Sequence, residues 1–191
     1  MAETSSLFGG IPQSGLALGD PGAPVTLVEY ADLQCPYCGQ FAREVLPALV
    51  NDYVRPGKVR LVFHGVAFIG PDSQTALRTV LAAGEQNRLW NVAELLYQNQ
   101  GGENDGWVTD ELFRSIATAV PGLDAGPMLA DRSSAAITNE IASVQSHAGA
   151  AGINSTPSFE LGPTGGALER LDVSSLAPAA FRPALDALLA K

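Results

Sequence analysis

The chain of 191 residues has two cysteines, Cys35 and Cys38, separated by Pro36 and Tyr37. A pair at this spacing can exchange disulfides: a thiolate attacks a disulfide sulfur, and a second thiol nearby resolves the mixed disulfide that results. The apolar residues that follow, Phe41, Val45, Leu46 and Leu49, have helical spacing, which puts Cys35 at a helix start. There the helix dipole and unpaired N–H groups favour thiolate over thiol. Pro36 suits the first helical position, where a missing N–H costs nothing. Cys38 then falls one helical turn later, within disulfide reach and less exposed. The competing reading, two small buried hydrophobes that happen to be cysteine, leaves this context unexplained. A zinc centre needs four ligands, and His64 and His147 stand far off without ligand-like spacing. Two thiols are too few for the disulfide framework of a small secreted domain. Redox chemistry is the default reading, with no metal and no cofactor beyond a Cys35–Cys38 disulfide.

The elements around the pair follow from pattern. Residues 1–22 read as an irregular arm in which Leu16-Ala17-Leu18 predicts a short edge strand. The stretch from Val25 to Ala31 is β-rich and apolar on both faces except at Glu29, as in a strand covered on both sides. Pro47 lies inside the helix after the cysteines and predicts a kink, with the helix ending near Arg55-Pro56-Gly57. A second strand from Val59 to His64 completes a βαβ half over 23–71. Residues 72–149 show helical patterns only. Asp72 caps the first, which runs through Gln86; Leu89, Val92, Ala93, Leu96 and Tyr97 mark the second; Thr109 caps the third; the last runs from Ser133 to His147, closed by Gly149. Between them lie a flexible turn at 101–106 and a shorter helical turn at 124–130. Over 150–191 strand signals return as a hairpin, Ser158–Leu161 with Ala167–Asp172, followed by a helix from about Ala179. The class is α/β: a βαβ half, an all-helical insertion and a ββα half.

Three parts of the chain act together: Gly19-Asp20-Pro21-Gly22-Ala23-Pro24-Val25-Thr26-Leu27-Val28-Glu29-Tyr30 running into Cys35-Pro36-Tyr37-Cys38, the helical insertion, and Ile153-Asn154-Ser155-Thr156-Pro157-Ser158-Phe159. In that combination, from about residue 16 onward, the chain resembles the DsbA family of thioredoxin-like thiol:disulfide interchange proteins. The resemblance implies a thioredoxin fold (βαβ–ββα) carrying the helical insertion. It also implies a cis bond before Pro157, facing the cysteines, with the Thr156 backbone pairing with an extended substrate. The residues alone leave an ordinary trans proline opening an edge strand equally open.

Glu29, six residues before Cys35, either faces solvent or is buried for a reason. The family commonly carries an acid here, below the disulfide. That implies a proton relay to Cys38, for which burial would raise the pKa; a solvated strand residue is the other reading. Asp32 reads as a loop cap. Tyr37 departs from the family's strong oxidants, many of which have His between the cysteines; a neutral Tyr offers only a hydrogen bond, which leaves oxidising strength open. His64 reads as a satisfied polar residue at a sheet edge, with approach to the site as the alternative. His147 reads as solvated, and Trp90 and Trp107 as packing.

The net charge of −9, with basic residues scattered singly, argues against a nucleic-acid partner. No apolar run approaches the roughly 18 to 20 residues that span a bilayer. Met1–Gly22 lacks the form of a signal peptide, which fits an exported protein without its export signal or anchor and a cytosolic one alike. The leading expectation is a dithiol oxidase acting outside the cytoplasm, in the periplasm or cell envelope, with the cytoplasm as the alternative. It would give the Cys35–Cys38 disulfide to unfolded or cysteine-containing substrate proteins. By resemblance, a membrane or thiol redox partner would restore the disulfide. The same atoms run in reverse make a reductase or isomerase, and a third reading is a thioredoxin-fold chaperone or binding module without turnover.

Overall fold

The computed structural model describes residues 7–190; residues 1–6 of the expected arm, and Lys191, lie outside the described residues. The central strand β3 (Val25–Ala31) is buried along its whole length. A segment with no polar face settles only in the interior of a sheet covered on both sides. It pairs in parallel with β4 (Val59–Gly65) and antiparallel with β5 (Ser158–Pro163). On the far side of β4 lies a hairpin of β1 (Gln13–Ser14) and β2 (Ala17–Leu18). On the far side of β5 lies β6 (Glu169–Leu171), so the order is β1-β2-β4-β3-β5-β6. The short strand expected at 16–18 is β2, but it is not the edge, because β1, in the stretch expected to be irregular, pairs on its outer side. Side-chain bonds hold them there: the Trp90 indole donates to the Leu16 carbonyl and Gln13 donates to Asn91.

The two faces are covered by different elements. On one, Leu27, Leu61, Phe63 and Phe159 join the main core with α1 (residues 36–54) and the last helix. On the other, Val28, Tyr30 and Val66 pack against Val144 and Ala148. Alternation along β3 puts Glu29 on the α1 side. The expected kink in α1 takes a specific form. Pro47 has no N–H to give the preceding turn, and wider i→i+5 turns lie on either side of it, over Phe41–Val45 and Val50–Val54. The helix stops at Gly57, whose φ of +74° is cheap only for glycine.

The insertion holds α2 (Pro71–Gly84), α3 (Leu89–Gln98), α4 (Asp110–Ala119), α5 (Ala125–Ala130) and α6 (Ala135–Ala150), and the chain closes with α7 (Pro178–Leu189). Thr109, Asp124 and Ser134 cap α4, α5 and α6 through their side chains. Several expected ends shift: α2 stops at Gly84 rather than Gln86, and α6 is capped by Ser134 and starts at Ala135 rather than Ser133. Pro71 takes the first helical position of α2, so the cap falls on Gly70; Asp72 lies inside the first turn, where it accepts from the Gly106 N–H at 2.9 Å. α6 runs past Gly149 to Ala150, because the left-handed residue that ends it is Gly152, φ +66°. No helix among the described residues is long and apolar enough to cross a membrane.

Candidate functional site

Cys35 is the N-cap of α1 and 5 % exposed; Cys38, one turn in, is fully buried. Opposite them the loop before β5 carries a cis Thr156–Pro157 bond. The Cys35 thiol donates to the Thr156 carbonyl at 3.3 Å across a separation of 121 residues. Thr156 and Pro157 are half-buried, leaving the loop open to an incoming chain. Both cysteines are free thiols, which is the dithiol state of the site.

The two thiols have opposite electrostatics. The largest influence on Cys35 is the Cys38 thiol, which donates to its sulfur; burial pushes the other way. The Thr156 side chain and the amides of Cys38 and Tyr37 add to the lowering, and the Cys35 pKa comes down to about 6. Amides at a helix start point at the N-cap atom, and an anion there meets the positive end of the helix. Cys38 is pushed well up, chiefly by burial, then by its bond to Cys35 and by the nearby Glu29. One thiol is thus set to be the nucleophile at the helix start, beside the cis-proline loop, and the other the deeper, protonated one.

Glu29 is buried, 5 % exposed, so the solvated alternative is not what the structure holds. It sits on β3 opposite Phe63 of β4 and Phe159 of β5. Burial first, then the charges of Glu94 and Cys35, push its pKa up to about 8. Asp32 caps its loop more fully than its position suggests. One carboxyl oxygen accepts from the Gln34 N–H and the Ser73 hydroxyl, the other from the N–H groups of Phe68 and Ile69. Asp32→Ala would strand these donors, those of Gln34 and Ser73 buried and those of Phe68 and Ile69 partly so, and the expected loss is about 3 kcal/mol of unfolding free energy in urea titration. A loss under about 1 kcal/mol would mean that water replaces the carboxylate.

Several residues at the site had no signal in the sequence. Gln34 clamps Asn104, donating to its side chain and accepting from its N–H, and also donates to Ser73. Gln100 donates to the carbonyls of Leu33 and Cys35. The turn at 101–106, expected to be flexible, is therefore anchored to the cysteine loop. Gln100 reaches the Cys35 carbonyl past Gly39, where a Cβ would lie 2.5 Å from the Gln100 side-chain oxygen. Tyr97 donates to the Asp32 carbonyl, and Arg43 to the Tyr97 carbonyl.

Tyr37 is 63 % exposed, and its side chain makes no hydrogen bond among the described residues. It presents an aromatic surface beside Cys35 rather than a polar contact to it. His64 is neither at a sheet edge nor satisfied, and it is not at the site. β4 is an interior strand, and alternation turns His64 away from Phe63, onto the α6 face. There it packs edge-on to Tyr30 at 5.0 Å and lies 6.1 Å from the His147 ring. Its Nδ1 has no partner among the described residues, and burial, then His147, brings its pKa down to about 4. His147 is exposed, as expected. Trp90 is core and Trp107 is half-buried. No group of three His, Cys, Asp or Glu among the described residues is placed to hold a metal ion.

A family model described as Thioredoxin matches residues 13–164. The disulfide bond formation protein D of Bacillus subtilis is 33% identical over 105 residues, covering 52% of this chain and 46% of its own length. The chain spans about half the length of the curated relatives it matches. The crystal structure of oxidised BdbD from Bacillus subtilis matches with a TM-score of 0.79 at 20% identity, over 94% of this chain and 97% of that one. A thioredoxin-like oxidoreductase from Silicibacter pomeroyi matches with a TM-score of 0.73 at 28% identity, over 98% of each chain. With the cysteines at the start of α1, the insertion after β4 and the cis-proline loop before β5, the chain belongs to the thioredoxin family and has the DsbA-like form of its fold.

Proposed function

We propose that the protein is a thiol:disulfide oxidoreductase working as a dithiol oxidase. A substrate thiolate attacks Cys35 of the Cys35–Cys38 disulfide, the sulfur–sulfur bond breaks, and Cys38 leaves with the electron pair. A second substrate thiolate then attacks the substrate sulfur of the mixed disulfide and releases Cys35. The substrate loses two electrons and the cysteine pair gains them. In this reading Pro36 sets the helix start, Tyr37 borders the entry to Cys35, Thr156 and Pro157 receive an extended substrate segment, and Glu29 exchanges a proton with Cys38. The partners are cysteine-containing or unfolded proteins, together with a thiol or membrane redox partner that restores the disulfide. The place of action is outside the cytoplasm, where disulfides persist.

The observation that carries the reading is the split between the thiols, Cys35 brought down to about 6 and Cys38 pushed up. A stabilised Cys35 thiolate favours the reduced form over the disulfide, which raises the reduction potential and makes the disulfide a donor. It also makes Cys35 the better leaving group when the mixed disulfide resolves. The name of the Bacillus subtilis relative points the same way. The exposed, uncharged Tyr37 favours a second reading, a reductase or isomerase, because no cation between the cysteines holds the thiolate.

Equilibration of the Cys35–Cys38 pair with glutathione buffers separates the two. The expected potential lies well above the glutathione couple. A value near that of thioredoxin, about −270 mV, would put the dithiol in the role of donor and remove the oxidase reading.

A further inference from the structure

Between α1, α3 and the sheet lies a cavity of about 10 Å³ whose lining includes Glu29, Phe63, Glu94 and Tyr97. That is about the space one water needs. Two carboxyl groups line it, both at least nine-tenths buried: Glu29 is 5 % exposed and Glu94 4 %. One oxygen of each, Oε1 of Glu29 and Oε2 of Glu94, has no hydrogen-bond partner among the described residues. Buried polar atoms without partners are uncommon, and two at one cavity call for a bridging group. An apolar side chain at position 94 would pack there at lower cost.

We infer that Glu94 is the second member of the proton path to Cys38, a carboxyl on the helical insertion that faces Glu29 across a one-water cavity and passes protons between Glu29 and the surface. The inference rests on the oxidoreductase reading. Glu29 is the inner group. It faces Glu94 and Tyr97 from α3 and Cys35 and Cys38 from α1, while its cross-strand neighbours Phe63 and Phe159 are uncharged. Glu94 is the outer group. Its Oε1 accepts from the exposed Gln98 at 3.2 Å, and Arg43 of α1 acts on its charge. Burial raises its pKa to about 7 against the pull of Gln98 and Arg43, so both acids exchange protons near neutral pH.

When a thiolate opens the Cys35–Cys38 disulfide, Cys38 leaves as a thiolate and takes the proton of Glu29. The Glu29 carboxylate is reprotonated across the cavity from Glu94, and Glu94 takes a proton from solvent beside Gln98. Re-formation of the disulfide runs the protons outward along the same groups. Glu94 touches no sulfur in this scheme; it is a positioning residue acting through Glu29.

The test is the rate at which dithiothreitol reduces the oxidised full chain, followed from pH 5 to 8.5. Rates are expressed as the ratio of variant to wild type, which cancels the titration of the reagent. Loss of the Glu94 charge also lets Glu29 ionise at lower pH, so Glu94→Gln is expected to give a ratio near one at pH 5 and about one tenth at pH 8. Glu94→Asp should return part of the loss, which a fault in packing would not. A Glu94→Gln ratio that stays near one at every pH, while Glu29→Gln is slower than wild type below pH 8, overturns the role of Glu94 and leaves the oxidoreductase reading intact. A wild-type disulfide that does not react with dithiothreitol at any pH overturns that reading and this inference with it.

Discussion

Cys38→Ser is expected to turn the protein from a catalyst into a trap, and Cys35→Ser to abolish exchange. Without Cys35 the one remaining thiol is fully buried and held protonated, so no nucleophile faces the substrate. Without Cys38 the lowered thiol of Cys35 still forms mixed disulfides, but the internal thiol that would resolve them is gone. Non-reducing electrophoresis of the variants with an unfolded protein that carries its own disulfides should show covalent adducts with Cys38→Ser, whose Cys35 thiolate attacks a substrate disulfide and expels one substrate thiolate, and none with Cys35→Ser. The choice of replacement separates two roles of Cys38. Its thiol is the largest influence lowering Cys35, and a serine hydroxyl can donate the same bond whereas alanine cannot. The thiolate absorbance of Cys35 should titrate near the wild-type midpoint in Cys38→Ser and about one pH unit higher in Cys38→Ala. Equal midpoints would assign the lowering to the helix start alone.

Glu29→Gln is expected to stabilise the protein by about 3 kcal/mol at pH 7 while slowing exchange by about a hundredfold. The folded protein holds this carboxyl at about 8 against an ordinary value of 4.5. Below pH 4.5 the group is protonated in folded and unfolded chains alike, and it costs nothing. Above that, the unfolded chain ionises and the folded one does not, so stability falls by about 1.4 kcal/mol per pH unit until the folded pKa is passed. Glutamine keeps the shape and removes the titration. Urea unfolding at pH 4 should therefore find wild type and variant nearly equal, and at pH 7 the variant should be the more stable. Equal stability at both pH values would mean that Glu29 ionises in the folded state with an ordinary pKa. A gain in stability with a loss of rate would mark Glu29 as retained for chemistry.

Much of this was legible in the chain. The strands β3 and β4, the helix opened by Pro36, the all-helical character of the insertion, the cap Thr109 and the short helix near 124–130 follow from local pattern. The resemblance supplied the cis bond at Pro157. The burial of Glu29 was not legible, because β3 is covered on both faces and its period marks no outer side. Glu94 escaped notice for a related reason. Residues 89–97 are all buried, so the apolar stripe at Leu89, Val92, Ala93 and Leu96 is only part of the buried surface. His64 was misplaced because strand order is a long-range property: nothing in the segment from Val59 to His64 says that β1 and β2 will cover its outer edge. The Gln34–Asn104 and Gln100–Cys35 bonds join segments about 65 to 70 residues apart, and amides carry no local signal of such partners.

The place of β3 between β4 and β5 also bears on how the protein comes into being. The βαβ half joins β3 to β4 across a short stretch of chain and can form early, but β5 reaches β3 only after the entire insertion has been laid down. Until then Cys35 has its helix start but not the Thr156 side of its surroundings. A growing chain therefore carries two thiols without the finished surroundings of Cys35. On the proposed function, exchange at Cys35 waits for completion of the fold, and a newly made chain would itself be a cysteine-containing client before it served others.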